Sequence, residues 1–293
     1  MEVLPSVPDA PRRVALVIGS GGVKCAGALG LWRVLAREGI EVDLVVGCSG
    51  GSLYAAAMAL GLSVEDCEAM TTRLWTREVM ARRDTRSILG ALFPRLLGFE
   101  GDLALVHDGP LMRALTPALG GRSFDETRIP LRIVATDFAT GEAVVLSEGS
   151  LLDAVRASIS VPFVWKPWVI DGRRLVDGCL SAPMPVDVAI REGADVILTM
   201  GFEAALPRRI NTAVRFAYQV TSIYTNNLYR AAFSFHNLAH HAEIIPVIPE
   251  LNQHIGLLST EKIPYCIEQG ERAAEEIVPY LHRVLAHTEG ARA

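Results

Sequence analysis

The chain has 293 residues, half of them hydrophobic, and a formal net charge of −5. A chain of this length and apolarity buries a large core, which excludes wholesale disorder. The acidic balance offers no basic surface for nucleic acid. Five cysteines, none in CxxC spacing, exclude a zinc pattern and a disulfide framework and read as reduced thiols of a cytoplasmic protein.

Residues 1–11 carry three prolines and no apolar h-region, so they read as a loose tail rather than a signal peptide, with residues 12–293 as a single domain. The run VALVI at 14–18 predicts a buried parallel strand. A helix is expected over 24–38, with Gly39 as its stop. A second strand is expected at 42–46, then the turn GCSGGS and an Ala-rich helix ending near Gly61. No residue between Leu44 and Val64 is charged, but the polar and small residues of that turn favour strand, turn and helix over a membrane span. Residues 63–80 read as helical, and 81–105 as irregular. Within the latter, RSILGALFPRLLGF at 86–99 is apolar enough either to contact lipid or to form a packed helical pair.

Strands are expected at 131–135 and 143–146, and a helix at 151–158. Residues 168–170 and 174–176 flank Asp171-Gly172, a hairpin signal. Pro183 and Pro185 suit the first turn of a helix running to Gly193. Residues 195–200 predict a buried strand, 211–242 a mostly helical stretch, 244–248 a last strand, and 261–287 a closing helix. Strands alternating with helices imply an α/β fold: three αβα layers around a mostly parallel sheet.

Two glycine-rich turns stand between strand and helix. Gly47-Cys48-Ser49-Gly50-Gly51 fits G-x-S-x-G, where Gly47 and Gly51 leave room for a sharp turn that exposes Ser49. Gly19-Ser20-Gly21-Gly22-Val23-Lys24 places backbone N–H groups close together. It lacks the spacing of a Walker A loop or a dinucleotide fingerprint, and an oxyanion site beside the elbow suits it better.

Together these blocks resemble the patatin-like phospholipases. The resemblance rests on GSGGVK, GCSGG, the Asp-Gly of LVDGCLSAPMPVDVAIREGADVIL, and the flanking RASISVPFVWKP and VATDFATGE, and it covers roughly residues 14–280. It implies a patatin-like αβα fold and a serine acyl hydrolase of phospholipids, lysophospholipids or neutral acyl esters. It further implies a Ser49–Asp177 dyad and an oxyanion hole at Gly21, Gly22 and Val23. Lys24 and Gly178 would support these groups, and neither metal nor cofactor is required. Peripheral contact with a membrane follows from the substrate class. Two positions depart from the pattern: Cys25 replaces a glycine, and Cys179 a glycine or alanine. Cys25 would crowd the loop if the backbone there needs positive φ.

A serine needs an adjacent base. Asp171 suits the hairpin turn, and Asp177, after the return strand, is the preferred partner, in part on the resemblance. The residues leave two other readings open. One is a Ser-His-Asp esterase or thioesterase using His236, His241 or His254. The other is a catalytically weak patatin-like module that binds lipid. The 86–99 stretch and the 211–235 helix are candidates to shape an acyl-chain groove.

Overall fold

The structure is a computed structural model. It describes residues 12–286 except 75, 77, 80–81, 94–101, 205, 207–208, 212, 240–241 and 257–258; the side chains of 213, 214, 217 and 233–239 are also outside the description. The loose tail expected at 1–11, the second half of the 86–99 stretch, the imidazoles of His236 and His241, and His287 thus lie outside the described residues.

The strands are β1 (Val14–Ile18), β2 (Leu44–Cys48), β3 (Leu131–Asp137), β4 (Ala143–Leu146), β5 (Trp168–Ile170), β6 (Arg173–Asp177), β7 (Val196–Met200) and β8 (Glu243–Pro246). They form one eight-stranded sheet in which β8, β7, β1, β2 and β3 run parallel, and β4, β5 and β6 complete the β3 side in antiparallel fashion. The described helices are α1 (Gly27–Arg37), α2 (Gly50–Ala59), α3 (Val64–Leu74), α4 (Thr85–Leu92), α5 (Asp108–Leu119), α6 (Leu151–Ser158), α7 (Val186–Arg191), α8 (Ala213–Ala239) and α9 (Ile263–Ala286).

Alternation along the strands builds two cores. Leu16, Ile18, Val45 and Ile133 pack with α1, α2 and α9 on one face, whereas Ala15, Val17, Val46 and Val134 pack with α7 on the other. With both faces covered, the parallel strands are continuous apolar runs, as the sequence suggested. Every residue of α2 is buried, which explains why that segment is uncharged without crossing a membrane. No described helix is long and apolar enough to span one. Helices α1 and α9 meet through glycines. A Cβ on Gly30 would lie 2.1 Å from the Ile267 carbonyl, and one on Gly270 would lie 2.0 Å from that of Gly27.

The junction of β2, β3 and β6 positions the site. Ile133 of β3 pairs with Gly47 of β2 and with Leu146 of β4, so β2 and β4 lie on opposite edges of β3. Ala135 pairs with Asp177 of β6 and Val144 of β4, so β6 also lies opposite β4. Strands β2 and β6 therefore share one edge of β3 and meet carboxyl end to carboxyl end. Cys48 stands beside Val134, and Asp177 beside the next residue, Ala135.

Candidate active site

Strand β2 ends at Cys48 and α2 begins at Gly50, leaving Ser49 alone in the turn with φ 54° and ψ −130°. A non-glycine residue there is strained and must be held. Three contacts hold it. The Ser49 backbone N–H donates to Ser158 Oγ at 2.9 Å, and that hydroxyl donates to the Val134 carbonyl at 2.6 Å. From the helix side, Ser52 Oγ donates to the Ser49 carbonyl at 2.6 Å. Glycines make the turn possible: a Cβ on Gly47 would sit 2.6 Å from Ala55 Cβ, and one on Gly51 would sit 2.2 Å from the Ile18 carbonyl.

Ser49 Oγ donates to Asp177 Oδ2 at 2.8 Å. The carboxylate is fully buried, and its second oxygen accepts the Cys179 backbone N–H at 2.9 Å. Burial pushes its pKa up to about 6, against the opposing pull of the bonds from Cys179 and Ser49. Its backbone is tied at both ends, since the Asp177 N–H donates to the Ser160 carbonyl at 3.0 Å and Thr136 Oγ1 donates to the Asp177 carbonyl at 2.9 Å. Gly178 closes against the sheet, where a Cβ would lie 2.3 Å from the Val134 carbonyl.

The glycine loop lies against this turn. A 3₁₀ turn spans Gly22–Ala26, so the N–H groups of Gly21, Gly22 and Val23 lead it, where a helical turn offers no internal acceptor. A Cβ on Gly50 would lie 2.7 Å from Gly22 Cα and N, which brings the loop into contact with the elbow. Gly22 has φ 59°, a left-handed conformation that glycine adopts freely. Lys24 lines the same cavity as Ser49 and reaches the Phe202–Glu203 segment. Its Nζ donates to the Glu203 carbonyl at 2.6 Å and lies 5.7 Å from the Phe202 ring centre. Burial lowers its pKa, and its visible role is to brace the loop.

The expected crowding by Cys25 does not occur. Cys25 sits inside the 3₁₀ turn and is absent from the positive-φ residues. Its buried thiol points back to the Gly19 carbonyl at 3.4 Å. Asp171 occupies the hairpin turn, where Asp171 and Gly172 have φ of 49° and 75°, the pair of left-handed residues that a type I′ turn requires.

Ser49, Asp177, Gly21 and Gly22 border a cavity of about 800 Å³ whose other walls include Ile159, Val161, Phe163 and Phe202. Helix α8 contributes Tyr218, Thr221, Ser222 and Thr225, so it walls the cavity as the sequence suggested, but with a largely polar face. No described residue of the 86–99 stretch lines the cavity. Among the described histidines, His107 caps α5 through Nδ1 at 3.0 Å from the Gly109 N–H, and His282 lies 3.2 Å from Glu38. His254 borders the cavity, while the Ser49 hydroxyl donates to Asp177. Sequence reasoning did not find Ser158 and Ser160. Both lie in RASIS, quoted above for resemblance alone, and nothing local marks their hydrogen bonds.

Known proteins are similar to this chain in sequence or in fold. An uncharacterized NTE family protein of Mycobacterium tuberculosis is 28% identical over 193 residues, 66% of this chain and 50% of that protein. Patatin-like phospholipase domain-containing protein 7 of Rattus norvegicus is 27% identical over 189 residues, 64% of this chain and 13% of that protein. The chain thus spans about half the length of the mycobacterial relative and far less of the rat protein. Among solved structures, VipD from Legionella pneumophila shares the fold, with a TM-score of 0.50 at 15% identity, covering 92% of this chain and 67% of that one. The family model for patatin-like phospholipase matches residues 16–190. That span is more than half of the chain and carries the glycine loop, the elbow and Asp177 together, so the chain belongs to the patatin-like phospholipase family.

Proposed function

We propose that the protein is a lipid ester hydrolase working through a Ser49–Asp177 dyad. The observation that carries this reading is the 2.8 Å bond from Ser49 Oγ to a buried carboxylate at the wall of a largely apolar cavity. An exposed aspartate, with a pKa near 3.9, is a weak base at neutral pH. Burial that raises the pKa to about 6 strengthens Asp177 as a base while leaving it mostly ionised at pH 7.

In this reading Asp177 accepts the Ser49 proton as Oγ attacks the ester carbonyl. The developing oxyanion is held by the amides of Gly21, Gly22 and Val23, together with the positive end of α2. Asp177 then protonates the departing alkoxide, and the alcohol leaves an acyl-enzyme. A water deprotonated by Asp177 attacks the acyl carbon, and the proton returns to Ser49 as the fatty acid departs. Asp177 reaches the serine directly, so no histidine relay is needed. The position of Cys25 inside the 3₁₀ turn, without positive φ, supports the hydrolase reading over that of a weakened binding module. The polar partner is the lipid substrate itself, met at a membrane surface by a cytoplasmic protein. The test is labelling with a fluorophosphonate probe. Wild type should label, and Ser49→Ala and Asp177→Asn should not. Strong labelling of Asp177→Asn would replace the dyad with another base.

A further inference from the structure

Helix α8 is amphipathic the wrong way round for a soluble protein. Its inward residues Ser222, Thr225 and Asn226 are polar and buried, and Thr221 lines the cavity. Its outward residues Phe216, Val220, Ile223 and Tyr224 are apolar and exposed, Phe216 by 61% and Tyr224 by 72%. Their spacing of four, three and one residues keeps them on a single stripe. Leu206 and Ile210, just before the helix, are exposed as well, at 45% and 50%. Isolated exposed apolar residues are ordinary, but a stripe of this kind marks an interaction surface.

The charge pattern identifies what covers it. In a chain of net charge −5, residues 204–242 contain no Asp or Glu and four arginines; Arg230 is paired with Glu203 at 2.6 Å, so the cationic border is carried by Arg209 and Arg215. Arg209 and Arg215 stand at the cavity wall, next to Leu206 and Tyr218. Leu206, Arg209 and Arg215 thus line the cavity, and the exposed stripe begins at the next residue, Phe216. Helix α8 falls short of the apolarity needed to cross a bilayer, so the surface suits lying on one.

We infer that the outward stripe of α8, with Leu206 and Ile210, docks the cavity mouth on an anionic lipid bilayer. The inference rests on the lipid-ester reading for its biological sense, but its test does not depend on catalysis. The apolar stripe enters the boundary between headgroups and acyl chains, and Arg209 and Arg215 meet the anionic headgroups. An ester then passes from the bilayer into the cavity without crossing water.

Full-length Ser49→Ala protein is sedimented with vesicles of phosphatidylcholine alone and of phosphatidylcholine mixed with phosphatidylglycerol, at low and high salt. Binding is expected to need phosphatidylglycerol and to weaken with salt. In the same background, Ile223→Glu with Tyr224→Glu should lower vesicle partitioning about tenfold or more. Because both positions are exposed, the pair placed in the wild-type chain should leave hydrolysis of a water-soluble short-chain nitrophenyl ester unchanged, which shows that the fold is intact. Equal partitioning of the double variant, or indifference to phosphatidylglycerol, overturns the inference. So does a wild-type dimer that the double variant converts to monomer without any vesicle binding, since a second copy would then cover the stripe. Hydrolysis of the soluble ester without vesicle binding sinks the docking surface alone. Vesicle binding without hydrolysis sinks the hydrolase reading alone.

Discussion

Asp177→Asn should make the folded protein more stable at neutral pH while abolishing turnover. The carboxyl of Asp177 has its pKa raised from 3.8 to about 6 by burial. A carboxyl whose folded pKa is raised holds its proton more tightly folded than unfolded. Stability is therefore highest at low pH, with respect to this group, and falls as pH rises from 3.8 through about 6. The full cost is about 3 kcal/mol, from a shift of about two units at 1.36 kcal/mol each. Asparagine keeps the shape and the acceptor for the Cys179 N–H but carries no charge to desolvate. Urea unfolding of both proteins across pH isolates the effect, because every other titrating group is shared. The stability difference between variant and wild type should grow by about 3 kcal/mol between pH 3.5 and 8, with most of the change below about 6. A difference that stays constant with pH would show that Asp177 is not ionised against burial and would refute the reasoning.

Other outcomes follow from the same geometry. The kcat/KM of a neutral ester should rise about tenfold per pH unit below about 6 and then level off, as the base loses its proton; a profile flat from pH 5 to 8 would remove Asp177 as the base. Ser158→Ala leaves the Ser49 N–H and the Val134 carbonyl without their shared partner. It should lower stability by about 1–3 kcal/mol and kcat more than it changes KM, measured by denaturation and steady-state kinetics. Gly30→Ala drives a methyl onto the Ile267 carbonyl and should destabilise by about 1–3 kcal/mol through overpacking, read as a lower urea midpoint with the labelling stoichiometry of folded protein unchanged. Gly50→Ala presses instead on Gly22 and should cut the labelling rate far more than the stability.

The sequence was most legible where a local pattern decides the structure. VALVI and LRIVA are strands because unbroken apolar runs suit strands covered on both faces. Asp171-Gly172 is a hairpin because those two residues accept positive φ. Boundaries slipped where tertiary pairing overrode local preference. Strand β2 was expected at 42–46 but lies at 44–48, because Gly47 and Cys48 continue the ladder with Ile133 and Val134. The helix expected from residue 24 begins at Gly27, after a 3₁₀ turn that brings the glycine loop onto the elbow. The helix expected over 63–80 is described as α3 to Leu74. The turn motifs marked Ser49 and Asp177, and only the resemblance implied that they pair, because the 2.8 Å contact depends on where two distant strands meet. Helix α8 misleads for a related reason. It was expected to shape an acyl-chain groove, and only the folded chain shows its apolar stripe pointing outward and polar residues facing the cavity.

The head-on meeting of β2 and β6 along one edge of β3 bears on how the chain acquires its reactivity. Ser49 and Asp177 are 128 residues apart, yet neighbouring residues of β3 fix the strand ends that carry them. A slip of β6 by one residue would turn Asp177 to the opposite face, so a misregistered sheet would leave the proposed dyad no partly working form. Closing such a long loop is slow and comes late in assembly. During refolding, Ser49, as the proposed nucleophile, should therefore stay silent while helices and the first parallel strands form. It should switch on only when the β3 edge is complete, which makes serine reactivity a clock for the last step of folding rather than a measure of compactness.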